Sequence, residues 1–216
     1  MEFEELIKSV INGDIEGVKK GVRRAVEKGI SPIDIIQKGL APGMKIIGDR
    51  FSRLEVYLPS LLLASEAMKA GMEILKPHIL KRGLKVPRIG RVVIGSIEGD
   101  VHEIGKNIVA MMLEAAGFEV YDLGKDVSIS DFIKKAEEVN TDIIGVSALM
   151  TTTMQNMSRL IKDLEDLGLR EKYKIMVGGG PVLPDWAMEI GADGYGRDSA
   201  EAVKEAKKLI KVKKKR

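Results

Sequence analysis

Arg91-Val-Val-Ile-Gly-Ser-Ile97 is a short, continuous apolar run. It leads directly into Glu98-Gly99-Asp100-Val101-His102-Glu103-Ile104-Gly105-Lys106-Asn107, a polar loop that opens into helical spacing. An apolar strand without alternation is buried on both faces, as in a parallel sheet covered by helices. The pattern then recurs. Helical 104–116 precedes a strand over 118–122, helical 130–139 a strand over 142–147, and helical 153–167 a strand over 173–177. A helix near 184–190, a short strand near 193–195 and a last helix from 199 complete five strand–helix units.

This alternation predicts an α/β class, a flavodoxin-like (Rossmann-like) domain with a five-stranded parallel sheet. Ligands of such domains sit beyond the carboxyl ends of the strands, at the switch point of the strand order. Upstream the period is helical throughout. Leu6, Ile7, Val10 and Ile11 make one stripe, and Ile15, Val18, Val22 and Val26 make another, with Asp14 placed to cap the second helix. Ser31-Pro32 is a helix start. Pro42-Gly43 is expected to interrupt the next helix before a further run through Met44, Ile47 and Phe51. A long helix from near Pro59 carries Leu58, Leu61, Leu62, Met68, Met72, Leu75 and Ile79 on one face. The expected organisation is a four-to-five-helix bundle cap domain over 1–80, a basic Gly- and Pro-containing linker over 81–89, the α/β domain over 90–210 and a basic tail over 211–216.

Composition narrows the chemistry. The 216 residues contain no Cys, which excludes disulfides, thiolate metal sites and Cys nucleophiles. One Trp, four Tyr and four Phe leave the core to aliphatic residues and eleven Met. The net charge of +3 comes from the end of the chain: residues 204–216 hold eight Lys/Arg and one Glu, and the remainder carries −4. Such a short tail reads as a solvated helix end, so no nucleic-acid partner is expected. The acidic start lacks a signal-peptide pattern, and no apolar run is long enough to span a membrane, so a cytoplasmic protein without membrane contact is expected.

The loop after the first strand carries the candidate chemistry. A His two residues from an Asp can donate one ring N–H to the carboxylate, which leaves the other nitrogen as a fixed lone pair. Gly99 and Gly105 clear side chains from either side of that pair. Taken alone, an Asp-x-His pair more often caps a helix or makes a plain hydrogen bond. There is also no further His, Cys or carboxylate cluster to complete a zinc shell. If His102 binds a metal, another molecule must supply most of the ligands, and a metal macrocycle does so. Two more loops are expected on the same edge: Ser147-Ala148-Leu149-Met150-Thr151-Thr152-Thr153 and Gly178-Gly179-Gly180-Pro181.

Read together, Asp100-x-His102-x-x-Gly105, 41 residues, Ser147-x-Leu149, 28 residues and Gly178-Gly179 resemble the cobalamin-binding module shared by methionine synthase, methyltransferase corrinoid proteins and adenosylcobalamin mutases. The first domain also resembles the helical cap of methyl-carrying members, through Phe51-Ser-Arg-Leu-Glu-Val-Tyr-Leu58-Pro59, Leu61, Ala67-Met68-Lys69 and Leu75-Lys76-Pro77. The nearest resemblance is to the corrinoid proteins of methylamine- and methanol-type methyltransferases.

That resemblance implies a cobalamin or related corrinoid, in its methylcobalamin form, with His102 as the axial ligand to cobalt. It implies Asp100 as the hydrogen-bond partner of His102 and Thr153 as the hydroxyl that completes the relay, where methionine synthase has Ser. Ser147, Leu149 and Thr151 would line the buried nucleotide tail, Gly105, Gly178 and Gly179 would let it pass close to the backbone, and Gly99 and Val101 would also touch the cofactor. Phe51, Leu58 and Leu61 would lie over the methyl-bearing face, although core positions in the bundle explain them equally. The implied activity is a methyl carrier that accepts a methyl group on Co(I) from a substrate-specific methyltransferase and passes it to an acceptor methyltransferase. The linker would serve as the hinge. A mutase small subunit or a cobalamin-binding sensor are the alternatives; the first leaves the helical domain unexplained, and the second usually needs a DNA-binding domain.

Overall fold

The computed structural model describes residues 2–84, 86 and 88–213. Lys85 and Pro87 of the expected linker and residues 214–216 of the basic tail lie outside them. The chain divides into two compact units, Met1–Pro87 and Arg88–Arg216.

The first unit is helical: α1 (Glu2–Ile11), α2 (Ile15–Glu27), α3 (Pro32–Ile35), α4 (Ala41–Ser52) and α5 (Leu58–Lys81). Asp14 caps α2 by accepting from the Gly17 amide at 2.9 Å, which satisfies one of the donors a helix start leaves free. Leu6, Val10, Val18, Val22, Leu40, Met44, Ile47, Leu61 and Leu75 are buried. Gly43 lets α1 come close, because a Cβ there would meet Val10 Cβ at 2.7 Å.

Pro42 does not break the helix, contrary to the sequence expectation. A π turn over Ile36–Leu40 joins α3 to α4, and the Ala41 amide reaches back to the Ile36 carbonyl. Proline lacks an N–H and its ring crowds the carbonyl four residues earlier. A widened turn immediately before it relieves both problems, so the helical path runs on from Pro32 to Ser52.

The second unit is a five-stranded parallel sheet in the order β2-β1-β3-β4-β5. Its elements are β1 (Arg91–Ser96), α6 (Ile104–Ala115), β2 (Glu119–Asp122), α7 (Ile129–Glu138), β3 (Ile143–Ser147), α8 (Thr151–Asp166), β4 (Lys174–Gly178), α9 (Pro184–Glu189), β5 (Gly194–Gly196) and α10 (Ser199–Lys213). Alternate strand residues feed two cores. Val93, Ile144, Ile175 and Val177 pack under α7, α8 and α9 with Phe132, Met157, Leu160 and Leu164. Val92, Ile94, Ile143 and Met176 pack under α6 and α10 with Leu113, Ala206 and Leu209. Both faces of the sheet are therefore covered, as its unbroken apolar strands require. The chain leaves β1 toward β2 on one side and returns to β3 on the other, which places the switch point between the carboxyl ends of β1 and β3.

Phe132 is wholly buried, and its ring lies over Gly95, where a Cβ would meet Phe132 Cζ at 2.8 Å. Phe132→Ala is expected to destabilise the α/β unit by about 3–5 kcal/mol, seen as a lower denaturant midpoint.

Candidate cofactor site

The carboxyl ends of β1 and β3 lie side by side, with Ser96 opposite Ser147. The loop that follows β1 turns sharply, with the Asp100 amide donating to the Ile97 carbonyl at 2.9 Å. This turn carries the Asp100 side chain inward to zero exposure. A buried carboxylate is costly unless its oxygens are satisfied, and here they receive five donors. Oδ1 accepts from the His102 amide at 3.0 Å and faces His102 Nδ1 at 2.9 Å. Oδ2 accepts from the Leu149 amide at 2.7 Å, the Met150 amide at 3.2 Å and the Thr153 hydroxyl at 2.8 Å. One carboxylate thus binds the β1–α6 loop to the β3–α8 loop.

Burial alone would push the Asp100 carboxyl up. The hydrogen bonds from the His102 and Leu149 amides, the Thr153 hydroxyl and the His102 ring outweigh it and hold the group at about 2. An ionised carboxylate only accepts, so His102 Nδ1 must carry a proton, and in the neutral imidazole Nε2 is then the nitrogen with the lone pair. The side chain of His102 remains 47% exposed while its partner is buried. The Ser96 hydroxyl donates to the His102 carbonyl at 2.6 Å and fixes the backbone beneath the ring.

The remaining residues singled out in the sequence divide between the two units. In the α/β unit, Gly99, Val101 and Gly105 are exposed on the β1–α6 segment, Ser147 is half-buried at the end of β3, and Leu149 and Thr151 are exposed at the start of α8. Gly178, the last residue of β4, and Gly179 just after it are half-buried. Gly179 has φ +119, and a Cβ there would collide with the Ala148 carbonyl oxygen; only glycine lets the β4–α9 loop lie this close to the β3–α8 loop. Phe51, Leu58 and Leu61 belong to the helical unit. Phe51 and Leu58 are half-buried, whereas Leu61 is wholly buried and sits among the packed core residues.

Several contributors had no signal in the motif. Ser96, the Leu149 and Met150 amides and Asp126 all hold the loop. Asp126, from the β2–α7 connection, accepts from the Gly99 amide at 2.7 Å. Lys106 is buried and pairs with Asp122 at 2.5 Å. Apart from the Ser96 bond, which spans 6 residues, these contacts join segments that are distant in sequence, and no local spacing marks them.

The donor set fits a corrinoid. Among the described residues no group of three or more His, Asp or Glu side chains could hold a metal ion, so a metal at His102 would have one ligand from this site and would need a macrocycle for the rest. Val101, Leu149, Met150 and Leu183 on loops of this edge and Ile104 at the start of α6 are large apolar side chains left exposed, which suits a bulky, largely apolar ligand. Among the described residues no helix is long and apolar enough to cross a membrane.

A flavodoxin-like sheet with a carboxylate-anchored imidazole at its switch point defines a corrinoid-binding protein. Comparison with known proteins agrees. A B12 binding domain family matches residues 90–204, and a second B12 binding domain family matches residues 2–76. The chain is 48% identical to trimethylamine corrinoid protein 2 of Methanosarcina acetivorans over 94% of each chain. It is 47% identical to the dimethylamine corrinoid protein of Methanosarcina barkeri, over 97% of this chain and 100% of the relative. The crystal structure of the methanol:cobalamin methyltransferase complex MtaBC from Methanosarcina barkeri matches with a TM-score of 0.90 at 32% identity, covering 97% of this chain and 80% of that one. The chain belongs to the cobalamin-binding corrinoid proteins of methyltransferase systems, and its cofactor is a corrinoid with its cobalt.

The folded-state Asp100 carboxyl lies below its ordinary value of 3.8. Its contribution to stability is therefore complete above that pH and is lost as pH falls toward 2. Thr153→Val removes one donor from Oδ2. Its Asp100 titration, followed by carboxyl carbon NMR in the cofactor-free protein, is expected to move up from about 2 toward 3.8.

Proposed function

We propose that this protein is a methyl carrier, loaded by a substrate-specific methyltransferase and unloaded by an acceptor methyltransferase, with His102 as the protein residue that would hold the cobalt. The observation that carries the reading is the single imidazole, proton-fixed at Nδ1 by the buried Asp100 carboxylate and otherwise exposed at the switch point. When bound, the corrinoid supplies a cobalt ion that takes up and releases a methyl group. The chain supplies orientation. Asp100 keeps a proton on Nδ1, so that the neutral imidazole has its lone pair on Nε2, Thr153 and the Leu149 and Met150 amides keep Asp100 in place, and Ser96 holds the His102 backbone.

Gly105, Gly178 and Gly179, with Gly99, Val101, Ser147, Leu149 and Thr151, are proposed to line the path of the nucleotide tail. Open space around Gly105, where a Cβ would meet nothing within 4 Å, supports that path. Phe51 and Leu58 of the helical unit are proposed to cover the methyl-bearing face, and residues 81–89 to act as the hinge between the units.

The methyl donor is proposed to be a methylamine. The relatives at 48% and 47% identity are trimethylamine and dimethylamine corrinoid proteins, whereas the methanol system stands at 32%. The helical unit, which a B12 binding domain family covers in its own right, favours this reading over a mutase small subunit.

His102→Ala, reconstituted with methylcobalamin, is expected to lose the absorption bands of a histidine-ligated alkylcobalt centre and to retain cofactor about 10- to 100-fold more weakly. An unaltered spectrum removes His102 from the cobalt. Mixing the reduced holoprotein with methyltransferases specific for methylamines or for methanol tests the donor; methylation by the methanol enzyme alone would overturn that assignment.

A further inference from the structure

We propose that Asp126 is a positioning residue for His102, acting from the β2–α7 connection, which the cobalamin motif does not include. The β2–α7 connection runs beside the end of β1 and is bonded to it step by step. The Leu123 amide donates to the Ile94 carbonyl at 2.8 Å, the Ser96 amide to the Gly124 carbonyl at 3.0 Å, and the Val127 amide to the Ser96 carbonyl at 3.0 Å. Ile97 and Val127 form one further parallel bridge. Where β1 gives way to the motif loop, Asp126 takes over. Its amide donates to the Asp100 carbonyl at 2.9 Å, and its carboxylate accepts from the Gly99 amide at 2.7 Å. One residue therefore grips two consecutive residues of the loop whose next turn carries His102.

The backbone of Asp126 is part of this grip. Its φ is 52, in the left-handed region that Asp and Asn tolerate better than other residues with a side chain. The start of the connection is anchored independently: the Lys106 amine pairs with both oxygens of Asp122 at 2.5 and 2.6 Å, and Asp122 accepts from the Gly124 amide at 2.8 Å. Asp100 thus sits between two constraints. Its side chain is held by the β3–α8 loop and its main chain by Asp126. The side-chain bonds set the tautomer of His102, and the contacts from Asp126 keep the loop where those bonds can form.

This inference rests on the reading of His102 as the functional imidazole, and three substitutions test it in the full chain without cofactor. Asp126→Asn keeps a side-chain acceptor and tolerates the left-handed backbone. Asp126→Gly keeps only the backbone freedom, and Asp126→Ala keeps neither. Asp126 is exposed, so all three variants should fold. Imidazole nitrogen NMR is expected to show a single Nδ1–H tautomer of His102 in native protein and in Asp126→Asn, and mixed signals in Asp126→Ala, with Asp126→Gly between. The Gly99 amide should exchange roughly fivefold to tenfold faster in Asp126→Ala and Asp126→Gly. Native imidazole signals in Asp126→Ala overturn the proposal even if the Gly99 amide exchanges faster, and so does an Asp126→Asn variant that behaves like Asp126→Ala. These signals are read without cofactor, so they are separate from whether His102 meets the cobalt, which the spectrum of His102→Ala decides.

Discussion

A single buried carboxylate holds the cofactor edge of this protein together. Asp100 carries a charge with no solvent contact, and such a charge is tolerated only where hydrogen bonds replace the water it has lost. The replacements come from both sides of the switch point: the amide and ring of His102 on one, the Leu149 and Met150 amides and the Thr153 hydroxyl on the other. The donors on the second side are 49 to 53 residues away in sequence. The site therefore exists only after β1 and β3 have paired, and the same bonds that stabilise the ionised carboxylate fix the tautomer of the histidine.

This dependence explains why the motif is spread over separate loops. The Asp-x-His spacing suffices for one hydrogen bond within a loop. It does not keep the carboxylate ionised and stationary, because a lone exposed pair would exchange partners with water. The β3–α8 loop supplies the remaining donors, and the glycine at 179 lets the β4–α9 loop lie against the Ala148 carbonyl. The chemistry of one imidazole thus rests on the topology of the sheet.

Much of this was legible in the sequence, for physical reasons. Strands buried on both faces have no polar alternation, so Arg91–Ile97 and its counterparts stand out, and their number and order of helices define the sheet. Asp14 reads as a cap because short acceptors at helix starts do little else. Pro42 misled because its usual effect is to end a helix, whereas a π turn over Ile36–Leu40 absorbs it; nothing local distinguishes the two outcomes. Thr153 could be singled out only through resemblance to a family, since a threonine in a helix's first turn has several ordinary uses. Asp126 and Lys106 were invisible because each acts on a segment that only the folded sheet brings near, and Ser96 because a serine at the end of a strand gives no sign that its hydroxyl turns to the loop that follows.

His102 itself lies outside regular structure, between the end of β1 at Ser96 and the start of α6 at Ile104. Loops of this kind are usually the mobile parts of a protein. Here the backbone on either side of the imidazole is pinned: Gly99 and Asp100 by Asp126, His102 by its own bond to Asp100, and the His102 carbonyl by Ser96. All of these residues lie in the Arg88–Arg216 unit. The orientation of the imidazole is accordingly a property of the α/β unit by itself.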